Sequence, residues 1–347
     1  MTEQLKLKLN DSKATRWGAL VIVAFTMMAA YYVNDVVAPL KTMLETDLAW
    51  SSTDFGFFTG GYSFLNVFFL MLIWGGLILD RFGIRFTGKL ATILMVGGTA
   101  LEYYAMTGLA GADATLFGIN EIFGYKTGVF VAFAGYSIFG VGAEVAGITV
   151  SKIIAKWFKG KELATAMGVQ VALARIGSQA GYAVAIPLAR AFGISTPVLL
   201  GLVLLLGGMI AFFIFAVMDK KLDKQMEAAA IAAGTEDEEE KFSFKDVKNI
   251  LVNPGFWLIA LLCVLFYSCV FPFQKFASEL MIIKYGINEN VAGTFAGLPA
   301  LGALILTPVF GGFIDKRGKS ASIMLLGSAM LICVHFIYAI PDINYWL

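Results

Sequence analysis

One histidine, His335, and three cysteines, Cys263, Cys269 and Cys333, are all that this chain of 347 residues offers to soft-metal chemistry. None of the four stands at a metal-ligand spacing. The cysteines lie in apolar runs, where thiols behave as small hydrophobes rather than as a disulfide framework. Charge is scarce too: 15% of residues are charged, against about 25% in soluble domains. The net charge is +1, and no basic face is left for nucleic acid once the loop charges are assigned. The chain has neither a glycine-rich phosphate loop ending in Lys-Ser/Thr nor a nucleophile elbow. The expectation is a protein that is not an enzyme, needs no cofactor or metal, and runs on gradients rather than ATP.

What is abundant is apolar surface, at 59% of residues. Uninterrupted apolar runs recur at the length of about 20 residues that a helix needs to cross a bilayer. Short alternating segments, the mark of a transmembrane barrel, are not seen. The pattern predicts an all-α membrane protein with nine spans, at 17–39, 53–79, 88–109, 125–150, 162–189, 195–218, 252–280, 290–314 and 321–340. The start "MTEQLKLKLNDSKATRW" is polar and precedes a full-length span, so no cleaved signal peptide is expected. Three regions follow: 1–218 as a six-helix bundle, 219–250 as a charged linker, and 251–347 as three further helices.

Lys and Arg fall unevenly between the connections. The N-terminus and the even-numbered loops hold twenty, whereas the odd-numbered loops hold only Lys41, Lys126, Arg190 and Lys284. Positive residues gather on the cytoplasmic side, so the N-terminus and the linker are predicted to lie there. The sequence also repeats itself. "GLILDRFGIR" from Gly76 returns as "GGFIDKRGKS" from Gly311, aligning Asp80 with Asp315 at an offset of 235, and the same offset aligns Tyr32 with Tyr267. Duplicated helical units suit a paired-bundle transporter with its solute between the halves; a duplicated channel or assembly protein would show the same.

The repeated hairpin resembles the signature that follows the second and eighth helices of major facilitator superfamily transporters. Gly76, Asp80, Arg81, Gly83 and Arg85 match it, Ile84 departs from its usual base, and the second copy keeps Gly311, Asp315, Gly318 and Lys319. The resemblance implies two pseudo-symmetric six-helix bundles. Nine spans leave the second bundle incomplete, and the expectation is a shortened chain. It also implies that these residues form a motif whose contacts break and remake as the carrier changes face; a static charged hairpin is the plainer alternative.

"SKIIAKWFKGKELATAMGVQVALARIGS", "FYSCVFPFQKFA", "YYVNDVVAP" and "DRFGIR" look like the family of the lysosomal dipeptide transporter, major facilitator superfamily domain-containing protein 1. That likeness implies passage of dipeptides by uniport, with an acidic residue of the fourth helix and a basic residue of the fifth engaging the peptide's termini. They fall here on Glu144 and Arg175. The protein's partners would be a small zwitterion and the lipid bilayer, and no protein partner is named by the sequence. The polar start has no evident lysosomal address, so a bacterial cell membrane is expected, with the lysosomal membrane as the alternative.

The residues speak for a site on their own account. A charge at mid-bilayer costs at least about 2.5–3.5 kcal/mol, so it faces a cavity, a partner or both. Glu144 sits among Gly140, Gly142, Ala143 and Gly147, small residues that leave room for a close helix or for a ligand. Three readings stay open: Glu144 and Arg175 pair to hold helices together, contact solute, or couple protons. Asp35 lines the cavity mouth or caps a helix, Tyr32 and Tyr267 clamp the solute from opposite halves or simply pack, and Gln179 shares the face of Arg175. Glu102 is read as packing, headgroup contact or a functional group, His335 as packing, and Lys275 with Glu279 as a structural i,i+4 pair or an outer gate. A proton-coupled carrier of a small carboxylate and a non-transporting scaffold are the competing functions.

Overall fold

A computed structural model describes residues 8–111, 114–233, 251–317 and 319–340. It is helical throughout apart from two 3-10 turns and a two-residue antiparallel pair, Glu121–Ile122 with Tyr125–Lys126. The long helices are α1 (Lys13–Val36), α3 (Ser52–Phe68), α4 (Met71–Thr107), α5 (Thr127–Trp157), α6 (Leu163–Phe192), α7 (Thr196–Ala233), α8 (Pro254–Tyr285), α9 (Glu289–Arg317) and α10 (Ser320–Ala339). A short α2 (Lys41–Asp47) links α1 to α3.

Local chemistry sets several of these ends. Ser12 caps α1 by accepting from the Thr15 amide, and Ser51 and Asp54 form a reciprocal capping box at the start of α3. Asn253 caps α8, with Pro254 at its first position, where a missing amide proton costs nothing. Within α4, Gly83 (φ 75°, ψ 174°) takes a backbone conformation that residues with a Cβ rarely adopt, and it breaks the run into two helices. Counting those two separately, and α3 with the first of them as one bent pass, gives the nine passages expected from sequence among the described residues.

By length and apolarity alone six helices qualify as spans, or seven with α3 and α4 taken as one pair bent by 58°. The test passes over α6, whose middle carries Gln170, Arg175, Ser178 and Gln179.

α1 to α7 form one bundle. α4 and α5 touch backbone to backbone: a Cβ at Gly98 would sit 2.4 Å from the Gly135 carbonyl oxygen, and one at Gly135 would sit 2.6 Å from that of Gly98. Such contacts suit membrane helices, which associate by close packing more than by burial from water. Trp157, Phe212 and Phe215 fill the bundle's core toward the Arg16 end; Phe55, Phe58 and Tyr136 fill it toward the Lys41 end.

One expectation shifts. The sixth span's helix does not end at 218: α7 runs through Ala233, covering the first half of the expected linker, while 234–250 lies outside the described residues. The cause is Asp219, fully buried, which accepts from Arg85 (3.1 Å), Lys156 (2.8 Å) and the Trp157 indole (3.0 Å); Asp223 one turn on also pairs with Arg85 and Lys156. α8 runs as one helix from Pro254 to Tyr285 with Pro272 inside it.

Of the hairpin motif, Asp80 accepts from Lys152 of α5 at 3.0 Å, Arg81 lies over the Phe82 ring, and Gly76 has open space around it. In the second copy Lys319 precedes α10. Gly311 and Asp315 lie in the last turns of α9, their side chains outside the described residues, and Gly318 lies outside altogether.

Candidate functional site

Glu144 lies thirteen residues before the end of α5 at Trp157, and Arg175 twelve residues after the start of α6 at Leu163. At 1.5 Å per residue both sit about 18–20 Å from the Arg16 end. Each is half-buried. They are not ion-paired to one another among the described residues. Instead the Tyr62 hydroxyl of α3 donates to Glu144 Oε1 at 2.7 Å, and the Arg175 guanidinium stands over the Tyr31 ring of α1 at 5.8 Å. Two opposite charges thus stand at similar depth, each against a tyrosine of another helix, and the space these four residues border is the candidate chamber.

The small residues around Glu144 divide their roles. A Cβ at Gly140 would meet the Tyr62 carbonyl oxygen at 2.3 Å, and one at Gly142 that of Ala91 at 2.7 Å, so these two admit close helices. Gly147 meets only the tip of Met27 at 3.9 Å.

Beyond the chamber, toward the Lys41 end, lies a knot of polar groups. Tyr136 donates to Asn34, Asn34 Nδ2 donates to Asp35 at 2.8 Å, and Lys275 of α8 donates to the Asn34 carbonyl at 2.6 Å with Asp35 3.8 Å away. Further out, Lys41 is 2% exposed and pairs with Glu45 (2.7 Å), Ser52 (2.8 Å) and Glu279 of α8. Tyr182 donates to the Gln274 carbonyl at 3.0 Å, and Arg190 meets Asn290 (2.9 Å) and Glu289. Gly293 and Gly297 of α9 let that helix close onto Tyr182 and Gln179. Among the described residues the polar contacts between the two halves all lie at this end.

Several expected site residues stand elsewhere than the sequence suggested. Tyr32 faces away from the chamber: it is 2% exposed and its hydroxyl donates to the Pro197 carbonyl at 3.2 Å, so its neighbour Tyr31 takes the inward position. Tyr267 is exposed and stacks on Phe271 at 5.0 Å, and a clamp made with Tyr32 has no counterpart here. Gln179 turns to Gly297 of α9. Lys275 and Glu279 do not pair with each other; each takes a partner in the first half. Glu102 is fully buried where α4 meets α5, and His335 packs edge-on to Phe273 at 5.8 Å.

Reasoning from sequence gave no role to Tyr62, Tyr136 or Lys41. One signal was present: of the 26 Lys and Arg, assignment to ends and loops leaves only Arg175 and Lys275 within spans.

A family model described as Major Facilitator Superfamily matches residues 18–347. The chain belongs to that superfamily. As a major facilitator it is a membrane transporter, moving a small solute by alternating access. The Homo sapiens protein named lysosomal dipeptide transporter MFSD1 is 27% identical over 348 residues, covering 96% of this chain and 68% of that protein. The Gallus gallus protein of the same name is 30% identical over 226 residues, covering 61% and 49%. In fold, the crystal structure of a D-xylose-proton symporter matches with a TM-score of 0.55 at 16% identity, over 86% of this chain and 69% of that one. A major facilitator works by two halves that move against each other, and here the two halves meet through the contacts of Lys41 and Lys275 at one end.

Proposed function

We propose that this transporter carries dipeptides or similarly short peptides by uniport, with Glu144 engaging the peptide ammonium and Arg175 its carboxylate. One observation carries the reading: Glu144 and Arg175 sit at similar depth and remain unpaired with each other, Glu144 accepting from Tyr62 and Arg175 lying over Tyr31. A free dipeptide is a zwitterion. Its ammonium suits a carboxylate acceptor, and its carboxylate suits the planar, two-pronged guanidinium. The similarity to proteins named as lysosomal dipeptide transporters supports the same solute class. Asp35 and Tyr267 border the chamber, whereas Tyr32 and Gln179 act from behind it as packing.

The positive-inside pattern supports an orientation with the Arg16 end in the cytoplasm. A bacterial cell membrane is the proposed location. In that orientation the Lys41–Glu279 and Lys275–Asp35 contacts close the outer side, and the hairpin motif works at the inner one.

The test is dipeptide uptake into proteoliposomes. Uptake collapses in folded Glu144→Gln and Arg175→Ala proteins; wild-type uptake in both rejects the site. Dipeptide uptake that persists when the proton gradient is dissipated supports uniport, uptake that stops with it shows proton coupling, and uptake of a small carboxylate in place of dipeptide favours the carboxylate carrier. Binding without counterflow exchange would make the protein a scaffold.

A further inference from the structure

Opposite charges facing a poorly solvated chamber attract each other more strongly than they would in water. An empty carrier with a carboxylate and a guanidinium in its binding chamber is therefore prone to pair them and lose its site. Here that does not happen. Arg175 is taken up by the face of an aromatic ring on α1, and Glu144 by a hydroxyl on α3, so each charge has a satisfying neighbour on a different helix.

We infer that Tyr31 and Tyr62 are positioning residues that hold Arg175 and Glu144 apart in the unliganded carrier and keep the chamber open to a zwitterion. This rests on the dipeptide reading above. Tyr62 is itself braced, its ring lying 5.7 Å from Tyr136 and 6.1 Å from Phe139, and its backbone meets α5 at Gly140. Tyr31 is held by the same helix whose far face carries the Tyr32–Pro197 contact. Both partners are also replaceable. A phenol hydroxyl can give up a carboxylate to an incoming ammonium, and a ring face leaves the edge of the guanidinium, with its paired donors, free for a carboxylate.

The experiment measures dipeptide affinity and unliganded melting temperature on the full chain. Tyr62→Phe keeps the ring and its packing but removes the donor to Glu144. It is expected to weaken dipeptide binding by about 10–100-fold, the range a lost hydrogen bond to a charged group supports, while the melting temperature without ligand stays level or rises because Glu144 is released to Arg175. Tyr31→Leu is expected to weaken binding by about 3–30-fold, and Tyr31→Phe, which retains the ring, to restore it.

Wild-type affinity in Tyr62→Phe and Tyr31→Leu overturns the inference. A lowered melting temperature with unchanged affinity overturns it as well, since that is the mark of packing alone. Glu144→Gln and Arg175→Ala run alongside. If they bind dipeptide normally, the dipeptide reading fails first and the spacing role falls with it; if they lose binding while the tyrosine variants keep it, only the spacing role fails.

Discussion

Lys41 and Glu279 meet across the two halves of the protein, a lysine from the short α2 joined to a glutamate near the end of α8. Glu45 and Ser52 hold the same ammonium from the first half, so it arrives at the seam already oriented. Removing one member of a largely desolvated pair leaves the other uncompensated, at about 3 kcal/mol. Lys41→Ala should therefore loosen this end. In a protein with its own cysteines replaced, Ala277→Cys, at a position only 1% exposed beside the seam, should react with a membrane-impermeant thiol reagent several-fold faster when Lys41→Ala is added. An unchanged rate would deny Lys41 a closing role.

Asp219 is the buried hub of the Arg16 end, shared by Arg85, Lys156 and Trp157. Asp219→Ala should cost about 2–4 kcal/mol, because Lys156 and the indole lose their acceptor inside the bundle. Thermal unfolding in detergent is the measurement. Asp223→Ala, at a carboxylate 41% exposed, should cost much less.

Gly98 and Gly97 are adjacent but unlike. A methyl group at Gly98 would strike the α5 backbone, whereas at Gly97 it meets nothing within 4 Å. Gly98→Ala should destabilise the bundle by about 1–3 kcal/mol through overpacking, and Gly97→Ala should be neutral. The ratio of folded to aggregated protein on size-exclusion chromatography separates the two.

The N-terminal segment is pinned by charge outside the spans. Glu162 binds Arg16 at 2.8 Å, and Asp11 binds Lys161 at 2.9 Å. Arg16 holds the Glu162 carboxyl below its ordinary value, and Lys161 does the same for Asp11. A depressed carboxylate contributes stability that is present above its ordinary range and lost as pH falls through the lowered value. Hydrogen exchange of residues 8–16 should therefore be slow at neutral pH and quicken in acid, after correction for intrinsic rates. Arg16→Gln should exchange quickly at both and flatten the pH dependence.

Much of the architecture was legible because a bilayer-crossing helix must be long and apolar, and the loop charges alternate in number from side to side. Glu144 and Arg175 were legible because charge inside such a helix demands a reason. What failed were judgements that need a third dimension. The repeat offset singled out Tyr32, but consecutive helical residues point about 100° apart, and only the packed bundle turns Tyr31 inward. Lys275 and Glu279 had the spacing of a helical pair, yet Asp35 and Lys41 supply partners from more than 230 positions away. The charges at 219–223 read as a solvated linker because Arg85 and Lys156, which bind them, lie between 63 and 138 positions away in sequence.

The continuation of α7 past those charges fixes where the chain can yield. A rod clamped at Asp219 and Asp223 cannot serve as the hinge between the halves at that point. The turns carrying Asp219 and Asp223 are tied to Arg85 and Lys156 of the first bundle, so they travel with it and bear its load when the second half moves.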